Sequence, residues 1–133
     1  MAAEVINQTL LPSEILLIDD CSSDNGLTKK RLKTLQEKYN DKVSIKTFFS
    51  SSNKGPGSSR NLGWENANYP YLAFLDSDDV WELNKIMCQW KYLKDNPKVQ
   101  IIGSNIKENQ LCKIVSVNIF KELNPKHLLL KNP

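Results

Sequence analysis

Asp76-Ser77-Asp78-Asp79 sets three carboxylates within four residues. Each acid repels its neighbours, so ionising all three is unfavourable unless a cation neutralises them. Hard carboxylate oxygens suit Mg²⁺ or Mn²⁺, and Mg²⁺ commonly takes one or two carboxylates and completes its shell with substrate phosphates. The cluster is therefore suited to a metal–diphosphate site. The same residues also suit a solvated acidic loop that caps the next helix, because Asp is a good N-cap. The acids follow an apolar run of strand length, Tyr71-Leu72-Ala73-Phe74-Leu75. Such runs predict buried parallel strands. The carboxylates then fall at the carboxyl end of a strand, where open α/β sheets bind ligands.

The pattern occurs earlier as well. Glu14-Ile15-Leu16-Leu17-Ile18 is a second apolar run, and it ends in Asp19-Asp20. Cys21 to Gly26 is loop chemistry, small polar residues that bond backbone groups and tolerate unusual dihedrals. Leu27, Leu32, Leu35 and Tyr39, with charges between them, predict an amphipathic helix over 27–39. Val43 to Phe49 reads as a strand. Ser50 to Gly57 is a loop without apolar content, and a helix is expected from about Ser58 to Ala67. Lys54-Gly55-Pro56-Gly57 ahead of that helix is either a phosphate cradle or a flexible loop with an incidental lysine. It lacks the P-loop spacing.

Further expected elements are a short helix over 2–9, a helix over 82–95, strands at 99–102 and 111–117, and a helix through Leu130. Leu83, Ile86, Met87, Trp90 and Leu93 stand at helical spacing and predict a core-facing stripe. Strands alternating with helices imply parallel βαβ units in a doubly wound sheet.

The bulk numbers exclude several classes. A chain of 133 residues suits one domain. Its net charge of +3 lacks a basic stripe interleaved with aromatics, so no nucleic-acid partner is expected. Lys29-Lys30-Arg31 is the densest basic run and reads as an exposed helix face. Cys21, Cys88 and Cys112 fit no zinc spacing and are expected as free thiols. With His127 the one histidine, His-based zinc sites and Ser-His-Asp triads have little to draw on. No apolar segment approaches a membrane span, and no signal peptide is evident. Asn7-Gln8-Thr9 fits a glycosylation sequon, a triplet common by chance.

Four stretches, in order and spacing, resemble the nucleotide-sugar-binding half of a family 2 glycosyltransferase with the GT-A fold. They are Asn7-Gln8-Thr9, Ile15 to Asp24, Asn53 to Gly63, and Tyr71 to Trp81. The resemblance runs to about Pro133. It implies an α/β, three-layer Rossmann-like, mostly parallel sheet of the nucleotide-diphospho-sugar transferase type, forming a single partial domain over 1–133. It also implies roles. Asp20 would contact the nucleobase, Arg60 would lie by the nucleotide, Asp76 would approach the ribose, and Asp78 would hold Mn²⁺ or Mg²⁺ against the diphosphate. Asp79 and Trp81 would support the loop. The implied donor is a nucleotide-sugar, a UDP-sugar first, and the implied acceptor a glycan or lipid-linked saccharide of the cell envelope. The expected location is cytoplasmic, at or near the inner face of the membrane.

The chain departs from the family pattern in two ways. The family's first strand, which lies between the strands at Ile15 and Tyr71, is missing, so unpaired edges and self-association are expected. The family's general base follows the metal motif, and neither Glu108 nor Glu122 sits in such a motif, so no catalytic base is assigned. The expectation is a donor-binding part of a longer enzyme. The rival readings are a receiver-like phosphoacceptor domain built on Asp19, Asp20 and Asp76, and a non-catalytic binding fragment. The receiver pattern also needs a Ser/Thr and then a Lys at strand ends, and these do not occur in order.

Overall fold

The computed structural model describes residues 2–105 and 113–117. The expected helix through Leu130, together with Glu108, Glu122, His127 and Cys112, lies outside the described residues. The chain divides into two compact units: Met1–Ile6 with Leu11–Val80, and Asn7–Leu10 with Trp81–Pro133.

The first unit is built on β1 (Glu14–Asp19), α2 (Leu27–Tyr39) and β2 (Ser44–Phe49), preceded by the short helix α1 (Ala2–Ile6). The strands are parallel, in register from Glu14↔Ser44 to Asp19↔Phe49. Parallel neighbours need a crossover, and α2 supplies it. Ile15, Val43 and Ile45 form the buried core, with Val5, Ile6, Leu17 and Tyr39 packed on it. Fully burying such a side chain contributes about 1.5–3 kcal/mol, so these few residues dominate the apolar stabilisation of the sheet. Polar bonds fix the crossover: Gln36 Nε2 donates to the Ile45 carbonyl at 2.7 Å, and Asn40 Oδ1 accepts from the Ile45 N–H at 3.2 Å.

After β2 the chain returns through α3 (Pro56–Asn66), starting two residues earlier than the expected Ser58. Proline suits a first helical position, where its missing N–H has no partner to lose. Gly63 faces β1, and a Cβ there would stand 3.0 Å from Ile18 Cδ1. Glu14, at the start of β1, is a buried carboxylate with only 5% of its side chain exposed. It meets Lys46 Nζ at 2.8 Å, and it accepts from the Asn68 backbone N–H at 3.0 Å and from Asn68 Nδ2 at 2.7 Å.

The expected strand at Tyr71–Leu75 does not form. Residues 71–76 carry no regular structure, and none of the described strands pairs with them. A strand exists only through its ladder, and among the described residues no strand lies alongside this run to form one. Its apolar side chains are accordingly left open, with Tyr71 at 55% and Phe74 at 45% exposure. The segment lies along α3 instead, with the Phe74 and Trp64 rings 6.5 Å apart.

The second unit contains α4 (Lys85–Asp95) and an antiparallel pair, β3 (Ile101–Asn105) with β4 (Lys113–Val117). The strand expected at 99–102 thus starts later, and its pairing is antiparallel. The seven residues between β3 and β4 are too few for a helical crossover, whereas an antiparallel pair needs only a short connection. The stripe read as core is not buried: α4 has no buried residue, and Leu83, Met87 and Trp90 are exposed. Periodicity shows which face is apolar, not what covers it.

The 7–10 segment organises the start of α4. Gln8 is buried, donates to the Glu82 carbonyl at 2.8 Å and accepts from the Ile86 N–H at 3.1 Å. Asn84 provides no side-chain cap, so Gln8 satisfies one of the orphan amides at that helix start. The Thr9 N–H adds a bond to the Leu83 carbonyl at 2.9 Å. Gln8→Ala leaves a half-buried N–H and carbonyl without their partner, so it is expected to destabilise this unit by about 1 kcal/mol. Hydrogen exchange at Ile86 in the variant checks this, and unchanged protection there refutes it.

Candidate functional site

The site is built where β1 and β2 end. The last ladder pair of β1 and β2 is Asp19↔Phe49, and the Ser50 N–H then bonds the Asp19 carbonyl at 2.9 Å. The adjacent acids Asp19 and Asp20 diverge in role. Asp19 turns inward on its own loop, accepting from the Ser22 N–H at 3.2 Å and from the Ser22 hydroxyl. Beyond it, Cys21, Asn25 and Gly26 all adopt positive φ. Asp24 closes this loop by taking the Thr28 hydroxyl at 2.6 Å and the Thr28 N–H at 2.8 Å, which caps α2. The Thr28 hydroxyl, more than any other group, holds the Asp24 carboxyl below its ordinary value. Asp19 and Asp24 are thereby accounted for as loop-forming residues.

Asp20 reaches across to the loop after β2. Both of its oxygens accept from the Lys54 N–H at 3.0 Å, and Oδ2 also accepts from the Gly55 N–H at 2.6 Å. Consecutive backbone N–H groups of this kind form an anion nest. These are the amides weighed above as a phosphate cradle, and in the structure they donate to the Asp20 carboxylate. Gly55 sits at φ 84, ψ 167, a region open essentially to glycine alone.

Arg60 and Asp76, sixteen residues apart, meet at 2.6 Å. Arg60 and Trp64 are one turn apart on α3, and Phe74 and Asp76 are two apart on the irregular segment. Two neighbouring contacts thus dock that segment on one face of the helix. A turn follows, closed by the Asp79 N–H on the Asp76 carbonyl at 3.2 Å. Asp78 lies in this turn, exposed, with no hydrogen bond or ion pair among the described residues.

Among the described residues no group of three or more His, Cys, Asp or Glu side chains converges. The donor set still fits a hard cation shared with a diphosphate, because one or two carboxylates suffice when phosphate oxygens supply other ligands. Asp78 and Asp79 are exposed carboxylates without a side-chain hydrogen bond or ion pair among the described residues, and Asp76 has one oxygen committed to Arg60. Of the residues singled out by sequence, Arg60 and Asp76 are brought into contact, and Asp20 connects to α3 through its loop. Asp78 stands beside Asp76 in the turn. Sequence reading missed the Asp20–loop bonds and the role of Gln8. Asn53-Lys54-Gly55 with Pro56 at a helix start was the available signal for the first, and nothing pointed to the second.

Comparison with known proteins agrees with this architecture. The family model described as "Glycosyl transferase family 2" matches residues 2–128. An uncharacterized glycosyltransferase of Haemophilus influenzae is 33% identical over 99 residues, which is 74% of this chain and 38% of that protein. An uncharacterized glycosyltransferase of Rickettsia conorii is 42% identical over 94 residues, 69% of this chain and 14% of that protein. A UDP-Glc:alpha-D-GlcNAc-diphosphoundecaprenol beta-1,3-glucosyltransferase of Escherichia coli is 36% identical over 94 residues, 71% of this chain and 34% of that protein. The chain thus spans well under half the length of these relatives. The parallel β1–α2–β2 unit is consistent with the family's Rossmann-like GT-A fold, and the match leaves the receiver-domain reading without support. The chain belongs to glycosyltransferase family 2.

Proposed function

We propose that this chain is the donor-binding part of an enzyme that transfers a sugar from a nucleoside-diphosphate sugar to a glycan or lipid-linked acceptor. The observation that carries the reading is the Arg60–Asp76 contact at 2.6 Å, in a turn that leaves Asp78 free. An arginine on α3 and two acids in and beside the turn that follows the docked segment match what a nucleoside diphosphate requires. The guanidinium binds phosphate oxygens, one carboxylate accepts from ribose hydroxyls, and the other binds a cation. Asp20 stands just past the end of β1, where a carboxylate can accept an imino proton of uracil or guanine. A UDP-sugar is the first donor to test, since the Escherichia coli relative is named for one. That name also places its acceptor on a diphosphoundecaprenol carrier, which supports a lipid-linked envelope glycan here. No described helix is long and apolar enough to cross a membrane.

Mn²⁺ or Mg²⁺ held by Asp78, with Asp76 beside it, would supply positive charge to the diphosphate as it leaves. The chain's own residues position the donor. Arg60 orients the phosphates and adds a fixed positive charge that persists through the reaction. Asp76, steered by Arg60, fixes the ribose, and Lys54 on the neighbouring loop adds a second cation. No residue is assigned to take the acceptor proton.

Titrating UDP, GDP and dTDP by calorimetry, with Mn²⁺ and with EDTA, tests the reading. One of the three is expected to bind only in the presence of metal. Absence of binding for all three, with the chain folded, overturns it.

A further inference from the structure

We propose that Asp20 is a positioning residue: its carboxylate is a built-in anion that folds the 53–55 loop and so sets the start of α3, from which Arg60 projects. The consequence for donor binding rests on the proposed function, but the placement itself does not. Residues 51–53 are exposed and polar, so no apolar contact holds this loop. Among the described residues, the hydrogen bonds that tie 51–55 to the β1 end are those received by Asp20. The Lys54 N–H is shared by both oxygens at 3.0 Å, and the Gly55 N–H lies 2.6 Å from Oδ2. Asn53 Oδ1 accepts from the same Gly55 N–H at 3.1 Å, which tightens the turn from within.

The loop conformation passes directly into the helix. Gly55 is the residue before α3, has no side chain to cap it, and holds a backbone angle that its L-residue neighbours avoid. Its carbonyl accepts from the Ser59 N–H at 3.2 Å and from the Ser59 hydroxyl at 3.4 Å, the first bonds of the helix. Arg60 is the next residue. A chain of bonds thus runs from the end of β1, through Asp20, Lys54-Gly55 and Ser59, to the helical turn carrying Arg60. With the carboxylate removed, two aligned N–H groups face an empty cradle and the helix start loses its anchor. Asp20 Oδ1 retains lone-pair capacity, so the clasp and a nucleobase contact are separable claims about one residue.

The first test uses the unaltered chain without nucleotide. Through-hydrogen-bond couplings from the Lys54 and Gly55 amide nitrogens to the Asp20 carboxyl carbon are expected, and their absence overturns the proposal. The second test is hydrogen exchange in Asp20→Gly, where those two amides should exchange roughly 10- to 100-fold faster, as befits lost bonds to a charged acceptor. Sodium formate, a carboxylate small enough for the vacated nest, should restore their protection, and chloride at equal ionic strength should not. Unchanged exchange, or no formate response in a folded variant, overturns the proposal. If Asp20→Gly does not fold, Asp20→Asn serves. It keeps one acceptor oxygen and should loosen the Gly55 amide only partly, and full protection there counts against the clasp. The nucleotide arm separates the two roles of Asp20. A clasp weakens UDP, GDP and ADP by one common factor and formate reverses the loss, whereas a base reader alters their ratio and formate does not restore it. A changed ratio with protected Lys54 and Gly55 amides overturns the clasp. No nucleotide binding by the unaltered chain overturns the donor reading alone.

Discussion

Asp78→Asn is expected to lower metal-dependent affinity for a nucleoside diphosphate by more than about a hundredfold, since changes outside a metal's own ligands already cost 10–100-fold. The neutral amide offers one weak oxygen where the ion needs a charged one. Asp78 is exposed and makes no hydrogen bond among the described residues, so the substitution leaves the fold untouched and the loss reports on binding alone. Calorimetry of both proteins, with Mn²⁺ and with EDTA, reads it. In EDTA the two should be equally weak. Equal affinities in Mn²⁺ would remove Asp78 from the metal site and, with it, the main prop of a metal–diphosphate mechanism.

Glu14→Ala is expected to reduce the stability of the first unit by about 2 kcal/mol, the scale for hydrogen bonds to a charged group. Three contacts converge on this buried carboxylate, from Lys46 Nζ and from the backbone and side chain of Asn68. Lys46 is 41% exposed, so solvent screens its share. Asn68 is exposed as well, so the loss is shared between the two partners. Burial alone would push the Glu14 carboxyl up, but the bonds from Lys46 and Asn68 outweigh it and hold the group below 4.5. A carboxyl depressed in the folded state stabilises above its unfolded value. That contribution disappears as pH falls from 4.5 through the depressed value. Wild type should therefore lose denaturation midpoint steeply below pH 4.5, with Asp24, held below 3.8, adding to the fall at lower pH. Glu14→Gln should start lower and fall less. Parallel pH profiles for wild type and Glu14→Gln would show that the carboxylate's charge does not contribute.

The acid-ended run at Ile15-Leu16-Leu17-Ile18-Asp19-Asp20 was legible because its strand has a local partner: α2 and β2 follow at once, and the βαβ unit closes on itself. Tyr71-Leu72-Ala73-Phe74-Leu75 has the same composition and did not become a strand. Composition states a preference for burial, but a ladder needs a neighbour that no local pattern supplies. Leu83, Met87 and Trp90 failed as a core prediction on the same ground. Arg60 and Asp76 were found through their motifs, and their mutual contact follows from a segment docking along a helix face. Gln8 was out of reach because its partners are backbone groups of residues 82 and 86, more than seventy positions away, and carry no side-chain signature.

The Arg60–Asp76 pair has a kinetic consequence. Its side chains are 38% and 48% exposed, so the bridge sits in solvent. Such bridges are worth about 0–1 kcal/mol, which leaves this one open about a sixth to a half of the time. Exposed side chains exchange rotamers in picoseconds to nanoseconds. A ligand that takes the guanidinium and the carboxylate separately thus finds the open population already present and refreshed far faster than it arrives. The closed fraction reduces apparent affinity by only about two- to sixfold. Arrival by diffusion, not parting of the pair, sets the association rate at this site.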